Sequence, residues 1–195
     1  MVLGGLWLCL WTTRVRLLGV LPIALGGAAA LAAPTPDLLI TGDGRHLAVV
    51  DDAGRPAMLR EKSGDFVTSL MSENSGFDGE PLALSETPGA RCSRDACVVG
   101  ITQGGRTWRV LATRSGQRID WAALTSACNS ADIAVSDRWL PRGCHPRWLK
   151  LDRDALKEAG GVAIYLEKLP YLEKSPRVVT VAERIGNHPW RPIEN

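Results

Sequence analysis

The sequence predicts a layered α/β (α+β) domain behind an N-terminal membrane segment, and three features predict it. Between Met1 and Ala33 the only charged side chains are Arg14 and Arg16. From Pro34 onward, short apolar runs alternate with Gly, Asp and Pro turn signals, the signature of short strands. Interleaved with these runs are stretches of helical spacing or with residues suited to cap a helix. Short strands mixed with short helices bury their apolar faces by stacking as layers around a core.

The first element is the membrane segment, residues 1–33. VLGGLWLCLW is a short apolar run, TTRVR interrupts it, and LLGVLPIALGGAAALAA resumes from Leu17 to Ala33. The second run is seventeen residues long, at the low end of what spans a hydrocarbon core of ~30 Å. Trp7 and Trp11 suit the interface, and Arg14 with Arg16 suit the cytoplasmic side, which places everything after Ala33 outside. Two readings fit. Leu17 to Ala33 is either a signal peptide ending in the small-residue stretch Ala30-Leu31-Ala32, or the last helix of a larger membrane protein with residues 2–11 as the tail of the helix before it. The second is favoured, because a signal peptide rarely has a tryptophan-bearing apolar run ahead of its positive region.

Residues 34–195 form the expected soluble domain. After Pro34-Thr35-Pro36, the apolar runs Leu38 to Ile40, Leu47 to Val50 and Ala57 to Leu59 are three strands, separated by Gly42-Asp43-Gly44 and Ala53-Gly54. Phe66, Val67, Leu70 and Met71 place a helix over residues 64–74. A turn-rich stretch runs from Gly76 to Arg91. Val98 to Ile101 and Trp108 to Leu111 then flank Gly104-Gly105, a turn that tolerates the positive φ of a tight hairpin. Trp121 to Ala127 is a helix with Asp120 as its N-cap. DIAVSD, from Asp132 to Asp137, is a buried strand, and Trp148 to Leu151 another. Asp154 is placed to cap ALKEAG, VAIYLE follows as a strand, RVVTVAER is the last strand, and NHPWRPIEN is an irregular tail.

Charge bears on partners. Subtracting Arg14 and Arg16 from 23 basic side chains leaves 21 in the soluble part, against 21 acidic ones. A domain that grips nucleic acid unaided usually shows an excess of Lys and Arg, because phosphate neutralisation supplies most of its affinity. A local basic face is the remaining route, since Arg138, Arg142, Arg147, Lys150 and Arg153 fall within sixteen residues. A solvated surface explains the same run.

Of five cysteines, Cys9 lies in the first apolar run. Cys92, Cys97, Cys128 and Cys144 fit two disulfides in an oxidising compartment, and buried free thiols or a metal site are the alternatives. The spacing does not match a compact zinc knuckle, which wants short spacers at both ends. The expected pairing is Cys92 with Cys97, closing a turn, and Cys128 with Cys144, tying a helix end to the loop after the Asp132 strand.

Catalytic patterns are sparse. His46, His145 and His188 include no pair at ligand spacing, whereas a two-zinc hydrolase needs a His-x-His-x-Asp-His cluster. If residues 42–52 are the relic of such a loop, they offer Asp43, His46, Asp51 and Asp52. No Gly-x-Ser-x-Gly elbow occurs, and the glycine clusters lack the Lys-Ser/Thr ending of a phosphate loop. Asp132 and Asp137 could present carboxylates from the two ends of their strand. Trp139, Trp148 and Trp190 each lie close to Arg and Pro, a combination able to stack bases or sugars, although core packing is the usual role of tryptophan. Catalytic and metal-binding residues, and cofactors, are therefore expected to be absent.

The order of motifs carries a resemblance. An Arg-bearing break before an apolar helix, PDLLITGDGRHLAV, GDFVTSLM, CSRDACVV, ACNSADIAVSDRWLPRGC, RVVTVAER and HPW together resemble the C-terminal region of the ComEC family, in its alphaproteobacterial form. The resemblance implies a periplasmic domain of degenerate metallo-β-lactamase type attached to an inner-membrane channel for single-stranded DNA in natural transformation. It implies membrane, channel helices and single-stranded DNA as partners. Arg138, Trp139, Arg142, Arg147 and Trp148 are the expected DNA or partner contact. The chain would then be a fragment of that protein with an accessory, non-catalytic role. Readings of other classes are a free-standing secreted binding or scaffold module and a metal-dependent hydrolase.

Overall fold

The computed structural model describes residues 1–117, 119–166 and 176–186. The chain divides into two units, Met1–Pro34 and Thr35–Asn195.

In the first unit, helix α1 (Val2–Leu10) is followed by a 3₁₀ turn, Arg14–Gly19, and helix α2 (Val20–Leu31). The turn occupies residues where the sequence suggested a plain break and the start of a helix. Small residues let α1 approach the turn: a Cβ on Gly4 would stand 2.6 Å from the Gly19 carbonyl oxygen. Close backbone contact through glycine is how apolar helices associate without a hydrophobic driving force. Trp7 donates its indole N–H to the Val15 carbonyl at 3.0 Å and packs on Trp11 at 5.2 Å. The stretch Arg14–Leu31 is long and apolar enough to cross a membrane, a property a signal sequence shares. Leu3, Leu10, Leu17, Leu21 and Leu25 all face outward. Apolar helix surface of this kind needs lipid or protein around it.

The second unit is a sandwich of two sheets with a helix on each outer face. The first sheet contains β1 (Leu38–Thr41), β2 (Leu47–Val50), β3 (Pro56–Met58), β4 (Leu82–Ala83), β10 (Gly161–Tyr165) and β11 (Arg177–Thr180), in the order β11-β10-β1-β2-β3-β4. The second holds β5 (Arg91–Cys92), β6 (Ala96–Gln103), β7 (Arg106–Thr113), β8 (Ile133–Val135) and β9 (Leu149–Leu151), in chain order. Both sheets are mixed. β3 and β4 pair in parallel, as do β7 with β8 and β8 with β9, and the other pairs are antiparallel.

Period-two alternation explains the layering. Leu38, Ile40, Leu47, Val49 and Ala57 face inward to meet Val99, Ile101, Trp108, Val110, Ile133 and Val135 of the other sheet. The alternate residues Leu39, Ala48, Val50 and Met58 face outward under Met71 and Val67 of α3 (Asp65–Ser75). On the opposite side Leu111 and Ala134 lie under Leu124 and Cys128 of α4 (Trp121–Ser130). Strands buried on both faces read as continuous apolar runs, as LLIT and LAVV do.

Several boundaries differ from expectation. α5 (Arg153–Ala159) is capped by Asp152, whose carboxylate accepts from the Ala155 N–H, and not by Asp154. RVVTVAER is half strand and half helix: β11 ends at Thr180, and α6 (Val181–Ile185) begins there with a reciprocal Thr180–Glu183 capping box. The turn-rich stretch from Gly76 contains β4 and a 3₁₀ turn, Leu84–Glu86, whose Leu84 is buried between the sheets. The tail NHPWRPIEN, with His188 and Trp190, lies outside the described residues.

Candidate functional site

Three places in the second unit gather chemistry-bearing side chains. The first is the end of the sandwich where β1, β3, β7 and β8 release their loops. The β1–β2 turn brings Asp43, Gly44 and His46 to this end. Gly44 has φ +67°, and a Cβ there would stand 2.9 Å from the Ser136 carbonyl and 3.0 Å from Asp137 Cα. Only glycine lets the turn lie so close to the end of β8. From β3 comes Arg60, whose guanidinium donates to Asp137 Oδ2 at 3.1 Å. Thr113, at the end of β7, donates to Ser136 Oγ at 3.0 Å and to Asp137 Oδ1 at 3.4 Å.

The electrostatics of this end are those of a closed ion-pair network. Burial would raise the Asp43 carboxyl, but hydrogen bonds from Thr41 Oγ1 and the Arg45 N–H outweigh it, aided by His46 and Arg45, and hold the pKa below its ordinary value. His46 is pushed down by burial, and by Arg60 and Arg45 against the opposing pull of Asp43. Its Nδ1 and the Arg60 Nε are buried without a hydrogen-bond partner. Asp51 and Asp52 are not part of this group. They sit in the β2–β3 turn at the other end of β2, where Asp51 bonds Arg55 and Asp52 accepts from Gln103 at 3.2 Å. Residues 42–52 are therefore two turns separated by a strand, which corrects their reading as one loop. Among the described residues no three His, Cys, Asp or Glu side chains converge as a metal site.

The second place is the start of β8. The Asp132 side chain, 4% exposed, accepts from Arg106 Nη2 at 3.0 Å and from the Arg109 N–H at 2.8 Å, with Arg147 Nη1 at 3.9 Å. Arg106 also lies 3.9 Å over the Trp108 ring. Trp148 is half-buried and packs against Trp108 at 5.2 Å, tilted by 58°. One side of it packs against Trp108 and the inter-sheet core, and the rest of the side chain stays accessible.

The third place is a cleft of about 610 Å³ lined by Trp121, Trp139, Ile119, Leu124, Pro141, Gly116 and Arg138. Trp121 is the first residue of α4, where Asp120 caps the helix by accepting from the Ala123 N–H at 2.9 Å. Trp139 follows β8. Its indole N–H donates to Asp154 Oδ2 at 2.9 Å, and Arg153 lies 4.9 Å from its ring. The two rings are 69% and 63% exposed.

The run Arg138 to Arg153 is thus divided between two ends of β8, and its members do different work. Arg138 donates to the carbonyls of Ser115, Gly116 and Gln117, the last at 2.7 Å, and lies 3.7 Å from Asp137. It clamps a loop, so it is not the freely exposed contact expected. Arg142 is exposed in the loop leading to Cys144. Arg147 and Trp148 belong to the Asp132 group. His145 is exposed, and its backbone N–H donates to Asn129 Oδ1 at 2.7 Å. Trp121 was missed by sequence reasoning, and its sole signal was an aromatic at the first position after a helix cap.

The four cysteines of the second unit meet in pairs. Cys92 and Cys97 face each other across β5 and β6 with Cα atoms 4.0 Å apart. Cys128, at the end of α4, meets Cys144 with Cα atoms 5.4 Å apart, both fully buried. Two disulfides fit an oxidising environment. Cys9 is free and exposed. In comparisons with known proteins, no family model, no curated protein and no solved structure matches this chain.

Proposed function

We propose that the Thr35–Asn195 unit is a non-catalytic accessory module of a ComEC-like DNA-uptake protein, of degenerate metallo-β-lactamase type, held on the outer face of a bacterial inner membrane. The observation that carries the reading is the end of the sandwich. Loops of both sheets converge there, as a two-metal hydrolase requires, yet the position is filled by Arg60 paired with Asp137 and an uncharged, partly buried His46. A guanidinium within this group repels a divalent cation, and its ion pair with Asp137 links the two loops.

The helix-sheet-sheet-helix layering supports the fold part of this reading. The order of sequence motifs from PDLLITGDG to RVVTVAER supports the family part. The two cysteine pairs and the apolar stretch Arg14–Leu31 support an exported, membrane-tethered placement. The role that follows is to position DNA or a partner at the channel mouth without cleaving it. The test is to delete the region equivalent to Thr35–Asn195 from the full-length channel protein of a transformable host, confirm its expression, and count transformants. A large drop is expected. Undiminished transformation would remove the accessory role, and stoichiometric zinc together with DNA degradation by the purified chain would revive a hydrolase.

A further inference from the structure

We infer that the outer face of the first sheet, where α3 and α6 line a groove, lies against the interface of a zwitterionic lipid bilayer, an inference that rests on the membrane-tethered placement above. The helices leave that face half covered. Leu39 of β1, Ala163 of β10 and Val179 of β11 stand side by side in the register of the sheet, and α3 packs over Leu39 while Ala163, Val179 and the nearby Tyr165 stay partly exposed. The uncovered part is a groove of about 440 Å³, lined on the helices by Leu70 and Asn74 of α3 and by Val181 and Arg184 of α6.

The two helices add apolar side chains of their own. Phe66, 78% exposed, and Leu70 stand one turn apart on α3, and Val181 and Ile185 one turn apart on α6, so each helix turns an apolar pair outward. Among the described residues of the second unit, the other large apolar side chains so exposed are Trp121 and Trp139 in their separate cleft. An apolar groove flanked by exposed apolar pairs is the kind of patch that marks a protein or membrane contact.

Chain connectivity selects the bilayer as what covers it. The apolar helix α2 ends at Leu31, and Pro36, five residues on, already lines the groove. Five extended residues reach at most about 18 Å. The polar zone of a bilayer adds about 5–8 Å beyond the hydrocarbon on each side, so a groove leashed this closely to a spanning helix has the interface within reach. Charge selects the lipid class. The strands and helices that form the face carry Arg177 and Arg184 against Asp65, Glu73 and Glu183, with Glu183 engaged in the capping box. The balance is not positive, so anionic headgroups add no attraction and the contact is made by apolar side chains. Phe66 and Tyr165 suit the interface, and Arg184 can lay its stem on apolar surface with its charge in water.

The test uses the full chain in phosphatidylcholine nanodiscs, with and without a doxyl-labelled fraction of that lipid, which quenches a fluorophore only at close approach. In a Cys9→Ser background, Ser69→Cys carries the label on the exposed side of α3, and Ser126→Cys carries it on α4 at the opposite outer face. A label on the native Cys9 reports on the apolar unit. Labelling without reductant keeps both cystines closed. Doxyl lipid is expected to quench the label at residue 69 and to spare the one at residue 126. Phe66→Asp/Ile185→Asp should bring residue 69 to the level of residue 126, and Phe66→Leu/Ile185→Leu should keep the quenching. Both side chains are exposed, so the Asp pair should unfold near the wild-type Tm. The two labels in the otherwise unaltered chain decide the matter even where the Asp pair fails to fold. Absent quenching at residue 69, equal quenching at 69 and 126, or a folded Asp pair quenched as strongly as the wild type would each overturn the inference. A label at residue 69 that is shielded from aqueous iodide yet untouched by doxyl lipid would assign the face to a second copy or another protein instead. Quenching at Cys9 without quenching at residue 69 leaves the tether and removes the docking, and quenching at neither removes both. The transformation count after domain deletion is read separately, so loss of the uptake role leaves the docked face standing.

Discussion

At the residue scale, His46 shows how a polar group at a sheet end can couple stability to pH. Its native pKa lies below the ordinary 6.5 because burial and two arginines disfavour the imidazolium. The unfolded chain therefore binds more protons than the native one below about pH 6.5, so stability rises with pH there. The contribution is complete above that pH and is lost on acidification. Asp43, lowered from 3.8, adds a second loss only at more acidic pH. The expected result is a Tm that falls between pH 7.5 and pH 5.5 by more in the wild type than in His46→Gln. Equal falls would show that His46 is not the group responsible. Arg138 and Arg142 provide a second contrast at this scale. Arg138→Ala should cost about 1–2 kcal/mol, because it frees the carbonyls of Ser115, Gly116 and Gln117 from a charged donor that is itself partly exposed. Arg142→Ala, at an exposed loop position without such bonds, should stay within about 0.5 kcal/mol. Chemical denaturation of both variants decides it, and equal effects would contradict the clamp.

At the scale of elements, short-range signals in the sequence carried most of the strands and helices, and long-range ones did not. LLIT, LAVV and the Gly104-Gly105 hairpin announce themselves through apolar runs and a turn that tolerates positive φ, and Asp120 is visible as a cap. RVVTVAER misleads because its valines favour a strand while T-x-x-E starts a helix, and the capping box wins at Thr180. β4 is two residues long and exists by virtue of its pairing with β3, which no local pattern encodes. The joining of Trp121 to Trp139 depends on α4 folding back over β7 and β8, a tertiary event of the same kind. The cysteine spacing was the most informative long-range signal. Cys128 and Cys144 tie α4 to the loop after β8, so they hold together the two elements that line the Trp cleft. Closing a loop of about 15 residues is worth roughly 3 kcal/mol in the chain-entropy model. The double variant Cys128→Ser/Cys144→Ser should lower Tm by roughly 6–12 °C in a domain of this size. Cys92→Ser/Cys97→Ser closes a much shorter loop and should cost less. A reversed ranking, or free thiols in non-reduced peptides, would reject this account.

For the whole molecule, the division of charge between the two units leads to a prediction about topology. The first unit carries Arg14 and Arg16 as its only charges, both in the 3₁₀ turn between two apolar helices. Arginine flanking an apolar helix is retained on the cytoplasmic side, because moving it across opposes the charge bias that orients membrane segments. With the turn inside, α2 would run outward and the second unit would emerge on the far side, which is the topology predicted. The two cysteine pairs agree independently, since glutathione and thioredoxin keep cytosolic thiols reduced while the periplasm oxidises them. Both arguments, from properties of different residues, support the prediction that Thr35 onward lies outside the cytoplasm. An alkaline phosphatase fused after Asn195 should therefore be active in a Gram-negative host, and a fluorescent protein that folds only in the cytoplasm, fused at the same point, should be dark. Replacing Arg14 and Arg16 with Ala should reduce phosphatase activity, because it removes the orienting charges without touching the folded domain. Adding two lysines just after Ala33 in that variant should reduce it further. An inactive phosphatase with a bright cytoplasmic reporter would place the domain inside, and the cysteine pairs would then have to be reduced thiols in the native chain.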